Sequence, residues 1–284
     1  QIFKRPTFEY MIHFKKYSPS HQLEDYIQSY FILEANTSKE AVEQMDFLQN
    51  HSQGTFDLMF GISGEIEMIN HKKDTYAFSR IFIVGHQEGF FGIRIKPETC
   101  IFGVVFYPES FSKLFNFPLD EITNKGRSLD SELSIEYLSI YAQLQDNISN
   151  SSRVELLNQF FVKQLSQVDF SFSKFDQLIK TIRTGSGTLS VKDMVDQSNL
   201  SERSLQRKVK QLLGVGPKSY SSVMRINSVL AYMKAHPAAN WQDILFQFGY
   251  YDQAHFIKDF KRYTGRTPRS FVQGDGGLSN LFLE

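Results

Sequence analysis

A segment in the C-terminal third of the chain occurs twice, and this internal repeat limits the possible fold more than any other feature. A shift of 51 residues places Ser201–Gly214 on Asp252–Gly265. The polar first residue, the apolar positions and the final glycine all recur, in the pairs Ser201/Asp252, Leu205/Phe256, Val209/Phe260, Leu212/Tyr263, Gly214/Gly265 and Pro217/Pro268. One structural unit is therefore used twice.

Each copy has the sequence of a helix with defined ends. Ser and Asp are preferred N-cap residues, because their oxygens accept hydrogen bonds from the free N–H groups of the first turn. Apolar residues follow at i, i+4 and i+7, the spacing of one buried stripe, and glycine is a frequent C-terminal stop. A shorter predicted helix precedes each copy, at Val191–Gln197 and at Trp241–Phe248. A short helix, a tight turn and a capped second helix predict a helix-turn-helix motif in each copy.

The second helix of the first motif carries polar side chains opposite its apolar stripe. After the cap Ser201, these are Arg203, Gln206, Arg207 and Lys210. Arg can bond bidentately to guanine and Gln to adenine, so this face predicts base contacts in a major groove. A solvated helix face is the alternative interpretation of such a charge pattern. The duplication and the charge balance described below favour DNA.

The matching face of the second copy is different. The residues there, with their neighbours, are Gln253, Ala254, His255, Ile257, Lys258 and Lys261. Ala254 and Ile257 can touch thymine methyl groups, while the lysines contact phosphate. His255 is either a DNA contact or a surface histidine without a role. We therefore expect the first copy to supply most of the base recognition and the second mainly to position the protein.

The region from about 175 to 273 resembles the DNA-binding domain of the AraC/XylS family of bacterial transcription regulators. Two strings carry the resemblance, Leu200–Lys210 (LSERSLQRKVK) and Ile244–Pro268, which includes FGYYDQAHFIKDFKRYTGRTP. It implies two motifs joined by a long helix, here Lys218–Met233, with their recognition helices in successive major grooves of double-stranded DNA. Leu245 departs from the family, which usually has a small residue there, so the local helix packing is expected to differ.

The formal net charge of zero conceals opposite charges in the two halves. Residues 171–284 contain 16 Lys and Arg against 9 Asp and Glu, whereas residues 1–170 contain 15 against 22. A basic C-terminal half is suited to a phosphate-bearing partner, and an acidic N-terminal half is not.

The N-terminal half predicts mostly strands. Short apolar or alternating runs lie between turn residues, at Thr55–Gly61, Glu65–Ile69, Ile81–Val84, Phe90–Lys96 and Cys100–Tyr107. Such spacing is typical of a barrel or sandwich. AraC-family proteins often carry a cupin-like barrel there, and Ile83–Gln87 with Gly103–Phe111 resembles the sensor domain of one AraC-type subgroup. Asp57 stands inside an otherwise apolar run.

The predicted fold class is α+β with more than one domain. A cupin-like β-barrel with flanking helices occupies residues 1–165, a linker follows at 166–173, and an all-α DNA-binding domain with two helix-turn-helix motifs joined by a long helix occupies 174–284. Gln22–Phe31 has helical spacing and predicts a helix or a strand–helix junction. The helices predicted at Ser131–Asp146 and Ser152–Gln167 are apolar enough to pack against the barrel or to form a dimer interface.

The N-terminal half offers little for catalysis. His51, His71 and His86 are scattered, so no clustered ligand set of a metal-binding cupin is recognisable, and neither a metal nor a cofactor is expected. Cys100, the single cysteine, lies in an apolar strand and is interpreted as an inert thiol. No phosphate-binding glycine loop or nucleophile elbow is present, so no catalytic residue is assigned.

A ligand pocket inside the barrel is a separate possibility. Its candidate lining is aromatic and apolar, and consists of Phe56, Met59, Phe60, Phe82, Phe90, Phe102 and Phe106. Arg94 and Glu98 are candidates to orient a polar ligand group. The alternative is that these aromatic residues form a filled core.

Together these features predict a cytoplasmic bacterial transcription regulator. Double-stranded DNA is the expected partner, with RNA polymerase, a small-molecule effector and a second copy of the chain as further candidates. A single cysteine agrees with a reducing compartment, and no apolar run approaches the ~18 residues of a membrane span. The alternatives are a cupin-type enzyme fused to a DNA-binding domain, and a regulator controlled only by protein contacts.

Overall fold

The computed structural model describes residues 12–35, 47–115, 119–129, 134–146, 148–168, 172–237 and 239–273. A β-rich part up to residue 168 is followed by a helical part from residue 172. The helical part contains both helix-turn-helix motifs and a long helix between them, which confirms the predicted fold class. None of the helices in these ranges is long and apolar enough to cross a membrane.

The β-rich part consists of two antiparallel sheets. Their strands are β1 Ile12–Tyr17, β2 Ile27–Ala35, β3 Leu48–Asn50, β4 Phe56–Ser63, β5 Ile66–Ile69, β6 Thr75–Phe78, β7 Ile81–Val84, β8 Phe91–Ile95, β9 Cys100–Phe106 and β10 Gly126–Ser128. Six strands form one sheet in the order β1-β2-β9-β4-β7-β10, and four form the other in the order β3-β8-β5-β6. The helix or strand–helix junction predicted at Gln22–Phe31 is wrong from Ile27 onward, because this stretch enters β2, which pairs with β1 and β9.

Alternation along the strands of the larger sheet produces two separate cores. Successive side chains of a strand point to opposite faces, so each strand contributes to both. In β4, Leu58 packs in one core and Met59 in the other, and in β7 Ile83 and Phe82 divide in the same way. The second core lies between the two sheets, whereas the first lies between the larger sheet and a layer of helices.

That helical layer is formed by α1 Pro108–Phe115, α2 Ile135–Gln145 and α3 Asn150–Ser166. Leu157 and Phe161 of α3 are fully buried in the core against the larger sheet, and Leu156 and Phe160 are partly buried there. Packing against the sheet therefore accounts for most of the apolar surface of α3. The first residues of the helix predicted at Ser131–Asp146 lie outside the described part of the chain.

The helical part has its own core. Its elements are α4 Lys174–Thr184, α5 Val191–Ser198, α6 Glu202–Leu213, α7 Pro217–Ala235, α8 Trp241–Gln247, α9 Gln253–Thr264 and α10 Pro268–Gln273. Helix α7 is the predicted connector, and Val223, Ile226 and Leu230 place it at the centre of the core. Gly216 precedes Pro217, which fits the first turn because it has no N–H to leave unbonded there.

Polar contacts join α1 of the β-rich part to α4 of the helical part. Lys113 Nζ donates to Asp176 Oδ2 at 2.8 Å, and Arg183 Nη2 donates to Glu109 Oε1 at 2.9 Å. The Arg183 guanidinium also stacks 3.8 Å from the centre of the Tyr107 ring. All four charged side chains of these pairs are largely buried, so breaking the pairs would leave unpaired charges in the protein interior.

The segment between α3 and α4 also contacts the β-rich part. Phe172 stacks on Tyr26 with ring centres 5.6 Å apart, and the Lys113 ammonium lies 4.9 Å from the centre of the Phe172 ring. Phe170, the other aromatic residue of the predicted linker, lies outside the described residues.

Candidate nucleic-acid interface

The first helix-turn-helix motif comprises α5 and α6. Helix α5 ends at Asn199, whose φ of 54° reverses the chain, and α6 begins after Ser201, whose side chain accepts a hydrogen bond from the Ser204 N–H at 3.3 Å. Helix α6 ends at Gly214, with a φ of 75° and its N–H bonded to the Lys210 carbonyl at 2.8 Å. A positive φ costs glycine little, which is why it ends the helix here. The predicted cap at Ser201 and the predicted stop at Gly214 are both confirmed.

The second motif, α8 and α9, repeats these devices. Gly249 at φ 65° makes the turn, and the Asp252 side chain caps α9 by accepting from the His255 N–H at 2.7 Å. Gly265, at φ 74°, ends α9 with its N–H bonded to the Lys261 carbonyl at 2.9 Å. The two copies therefore begin and end in the same way.

The buried faces of the two recognition helices, α6 and α9, also correspond. Leu205 and Val209 are fully buried, as are Phe256 and Phe260 at the matching positions. Leu212, predicted to complete the stripe of the first copy, packs against the helical core but is only partly buried, whereas Tyr263 at the matching position of the second copy is buried. Leu213, which was not part of the predicted stripe, is fully buried as well.

The outward face of α6 is open to solvent over its whole length. Arg203, Gln206, Arg207 and Lys210 are all exposed, and the cap Ser201 is exposed beside them. Gln206 Nε2 donates to Glu202 Oε1 at 3.2 Å, a bond that uses one of its two N–H groups and leaves the other N–H and Oε1 to contact a base. The face combines guanidinium and amide donors on one side of a rigid helix, which is the arrangement that reads base edges in a major groove.

The outward face of α9 is less uniform. Gln253, Ala254, Lys258 and Lys261 are exposed. Ala254, Lys258 and Lys261 line a shallow open depression together with Ile257. Ile257 itself is half-buried against the helical core, because its side chain lies at the border of the buried face. This limits the methyl contact predicted for it.

His255 is exposed on α9 but has partners within the protein. Its Nε2 lies 3.5 Å from Asp259 Oδ2, and its ring packs edge-on against Tyr250 at 5.3 Å between ring centres. These contacts orient the imidazole, and they compete with any contact that it makes to DNA.

The β-rich part contacts both recognition helices at their C-terminal ends. Thr123 Oγ1 donates to the Gly214 carbonyl at 2.7 Å after α6, and Arg266 Nε donates to Gln49 Oε1 at 2.6 Å after α9. A Cβ added to Gly214 or to Gly265 would collide with the β-rich part. In addition, Arg262 Nε donates to the Glu88 carbonyl at 3.2 Å. These contacts join residues far apart in the sequence, and no local pattern predicts them.

Comparison with known families agrees with this geometry. Residues 194–274, which extend from within α5 past both motifs and α10, match the family model described as a helix-turn-helix domain. These residues form an AraC-type helix-turn-helix domain. Residues 15–128 of the β-rich part match a model described as a domain of unknown function.

Similar proteins and similar solved structures were also found. The HTH-type transcriptional activator RhaS of Escherichia coli (strain K12 / DH10B) is 33% identical over 85 residues, which are 30% of this chain and 30% of that protein. The structure of apo ToxT K231A from Vibrio cholerae strain SCE256 gives a TM-score of 0.48 at 11% identity, over 86% of this chain and 97% of that chain. The AraC-like transcriptional activator CuxR gives 0.31 at 10%, over 80% and 89%.

A cavity of about 70 Å³ lies between the two sheets of the β-rich part. Its apolar wall includes Met59, Ile66, Met68, Phe82 and Phe91. Its polar wall includes His51, Ser52, Gln53, Thr55, Asp57 and Gln87. Most of this polar wall belongs to the loop between β3 and β4, which on its other side contacts α7 of the AraC-type domain.

The polar wall holds titratable groups with altered pKa values. Burial raises the pKa of the Asp57 carboxyl to about 7, although a hydrogen bond from Thr55 Oγ1 at 3.3 Å favours its ionised form. Burial lowers the pKa of His51 to about 4, so its imidazole is neutral at pH 7. The Gln87 carboxamide oxygen has no hydrogen-bond partner among the described residues, while its nitrogen donates to the Gly85 carbonyl at 2.8 Å.

The structure corrects the predicted lining of this cavity. Of the candidates, only Met59 and Phe82 line it. The others face the helical layer, because they occupy the alternate positions of their strands; these are Phe56, Phe60, Phe102 and Phe106. Residue parity along a strand is visible in the sequence, but the sequence does not show which face carries the helices.

Three further candidates lie away from the cavity. Phe90 is at the contact with the AraC-type domain, where its N–H donates to the Arg262 carbonyl at 3.1 Å. Arg94 points outward and pairs with Glu67 at 3.1 Å between Nη1 and Oε2. Glu98 is exposed, with a φ of 56°.

The described residues contain no group of three or more His, Cys, Asp or Glu side chains placed to hold a metal ion. Cys100 is half-buried, and burial together with Glu34 raises the pKa of its thiol to about 11. A thiol with this pKa is almost fully protonated at pH 7 and is a weak nucleophile.

Proposed function

We propose that this chain is a sequence-specific, DNA-binding transcription regulator that acts in the bacterial cytoplasm, where the chromosome lies. The observation that carries the proposal is the exposed face of α6, in which Arg203, Gln206 and Arg207 stand side by side on a helix of an AraC-type motif. The chain spans about 30% of the length of the curated relatives that it matches, so the role of the whole protein is inferred from this site.

In this proposal the two motifs have different tasks. The bases are recognised mainly by the first recognition helix, whereas Lys258 and Lys261 of the second bind phosphate. Phosphate contacts release counterions, which makes the affinity depend steeply on salt.

The division into a sensor or dimerisation domain (1–165), a linker (166–173) and a DNA-binding domain (174–284) belongs to this proposal. The β-rich part is the regulatory half, because it contains a cavity and contacts both recognition helices. It controls DNA binding through a small ligand, a second copy of the chain or another protein such as RNA polymerase. We propose that it acts by binding and not by catalysis.

The test is DNA binding by the full chain, measured by fluorescence anisotropy over a range of salt concentrations. We expect binding to duplex DNA, with a logarithmic affinity that falls linearly as the logarithm of salt concentration rises. Arg203→Ala/Arg207→Ala is the test variant and Lys234→Ala, an exposed lysine at the end of α7, is the matched control. An absent or salt-independent interaction would overturn the proposal.

A further inference from the structure

One loop of the β-rich part lies between the inter-sheet cavity and the AraC-type domain. This cavity loop, residues 50–55, contributes His51, Gln53 and Thr55 to the polar wall of the cavity. Its outer side carries Gly54, whose carbonyl accepts a hydrogen bond from Tyr220 Oη of α7 at 3.3 Å. A Cβ added to Gly54 would collide with the Met224 side chain, so loop and helix are in close contact. A shift of the cavity loop therefore changes its contacts with Tyr220 and Met224 of α7.

Two polar side chains lie together at one end of the cavity. Asp57, on β4 directly after the cavity loop, presents its carboxylate there, and the buried Gln87 contributes a carboxamide oxygen that has no hydrogen-bond partner among the described residues. Both are acceptors. The described lining contains no Lys or Arg to neutralise a carboxylate. Asp57 accepts one hydrogen bond, from Thr55, whereas the Gln87 oxygen accepts none among the described residues. A buried acceptor without a donor is costly, so this end of the cavity favours an occupant that carries N–H donors.

The other end of the cavity is apolar. Met59, Met68 and Phe82 lie there, on facing strands of the two sheets. With a volume of about 70 Å³, the cavity has room for more than one water and therefore for a small organic molecule. An occupant that satisfies both ends is short and has a donor head and an apolar tail.

We propose that the inter-sheet cavity binds a small organic cation, an ammonium head with a short aliphatic tail, and that the cavity loop carries the effect of this binding to α7. The ammonium group donates to Asp57 and Gln87, and the tail packs between Met59 and Met68. The claim that this binding affects α7 and DNA binding rests on the proposed function, whereas the claim that the cavity binds an organic cation does not.

The protonation of Asp57 agrees with this assignment. Burial raises the pKa of its carboxyl to about 7, so the ionised form is poorly stabilised without a cation. The titratable groups of the described lining are Asp57 and His51, and His51 is neutral at pH 7 because burial lowers its pKa to about 4. An ammonium ion at the carboxylate supplies the missing opposite charge.

The experiment is a titration of the full chain, labelled with ¹³C at the methionine methyl groups and observed by NMR. Met59 and Met68 report on the cavity, Met224 on the contact between the cavity loop and α7, and Met194 in the helical core is the control. The probes are n-butylammonium, 1-butanol and butanoate, which share a tail and differ in the head group.

We expect n-butylammonium to shift the signals of Met59, Met68 and Met224 but not of Met194. Its affinity should exceed that of 1-butanol by about tenfold or more, because the charged head bonds to the Asp57 carboxylate, and butanoate should not bind. Equal affinities for n-butylammonium and 1-butanol, or no shift at Met59 and Met68 with n-butylammonium, would overturn the proposal. This comparison uses only the wild-type chain and does not depend on how a variant folds.

Two variants separate the binding from the coupling. Asp57→Asn keeps the shape and removes the charge, so the preference for n-butylammonium over 1-butanol should disappear; an unchanged preference would refute the role of Asp57. Gly54→Ala disturbs the contact with Met224, so Met59 and Met68 should still respond to n-butylammonium while the response of Met224 falls. A Met224 response as large as in the wild type would refute the coupling through the cavity loop.

DNA binding is measured separately, with and without n-butylammonium. A chain that binds n-butylammonium in the cavity but never binds DNA would contradict the proposed function and leave the cavity assignment intact. A chain that binds DNA but shows no shift at Met59 and Met68 would contradict the cavity assignment alone.

Discussion

The two recognition helices share a frame but differ on the surface that they expose. Both begin at a capping side chain, Ser201 or Asp252, and both end at a glycine in the left-handed region. Outside this frame, Arg203 of the first helix corresponds to Ala254 of the second. Residues that fold the helix are kept in both copies, and residues that face outward have diverged. The duplicated unit thus retains its structure while its copies take different tasks.

The β-rich part contacts the two recognition helices at corresponding places. Both helices are held just after their C-terminal glycines, by Thr123 in one case and by Gln49 in the other. The outward faces remain exposed on both helices. The β-rich part is therefore placed to set the relative orientation of the two motifs without covering the residues proposed to contact DNA.

The largest effect on stability is expected from substitutions at matching buried positions of the two recognition helices. Leu205→Ala should lower the free energy of unfolding by ~2–5 kcal/mol and Phe256→Ala by ~3–5 kcal/mol, because each leaves a cavity at a fully buried site. Urea unfolding followed by the fluorescence of Trp241, the single tryptophan, measures both.

Phe246→Ala is the control for these variants, since the Phe246 side chain is 92% exposed. We expect it to change the free energy of unfolding by no more than ~0.5 kcal/mol. A Phe256→Ala variant as stable as this control would show that the matching positions of the two recognition helices are not equivalent.

The next effect concerns the base contacts of the first helix. Arg203→Ala and Gln206→Ala should each weaken binding by ~1–3 kcal/mol at particular operator positions, because a bidentate contact to one base is lost. Affinities for operators with single base-pair substitutions measure this, with Lys234→Ala as the control. Losses that are equal on specific and random DNA would contradict the assignment of base recognition to α6.

A smaller and more even effect is expected from the second helix. Lys258→Ala should weaken binding by a similar factor on all sequences and should reduce the salt slope by about one, since it removes one phosphate contact. Anisotropy titrations at several salt concentrations give both quantities. A loss confined to one operator position would mean that the second helix also recognises bases through Lys258.

The smallest effect is expected at the contact with the β-rich part. Thr123→Val removes the hydrogen bond to the Gly214 carbonyl and should weaken the contact by ~0.5–1.5 kcal/mol. Hydrogen exchange of the Phe90 amide, which bonds to the Arg262 carbonyl across the same interface, should become about two- to tenfold faster. Unchanged exchange would show that the attachments of α6 and α9 open independently.

The helical part was predictable from the sequence because its signals are local. Ser201, Asp252, Gly214 and Gly265 each act within one turn of the helix that they cap or end, and all four take the predicted role. The burial at the C-terminal end of α6 was predicted less well, because Leu213, outside the predicted stripe, is fully buried while Leu212 is only partly buried. The direct DNA contacts of the exposed residues stay predictions.

The lining of the cavity was predictable only in part because its signals are not local. Alternation in β4 separates Phe60 from Met59, but the side of the sheet covered by helices depends on α1 to α3, which come later in the chain. For the same reason the contacts of Arg183 and Arg266 with the β-rich part could not be predicted. Gln87 lies in a stretch that resembles a sensor domain, but nothing in the sequence marked its side chain as part of a cavity wall.

The most direct test of the account is a selection of bound sites from a random duplex library by the full chain. The wild type should enrich a defined motif, and Arg203→Ala/Gln206→Ala should lose most of the base preference, which α6 supplies. Lys258→Ala should retain the whole motif at reduced affinity. No enriched motif for the wild type, or the same motif for the wild type and the Arg203→Ala/Gln206→Ala variant, would contradict the account.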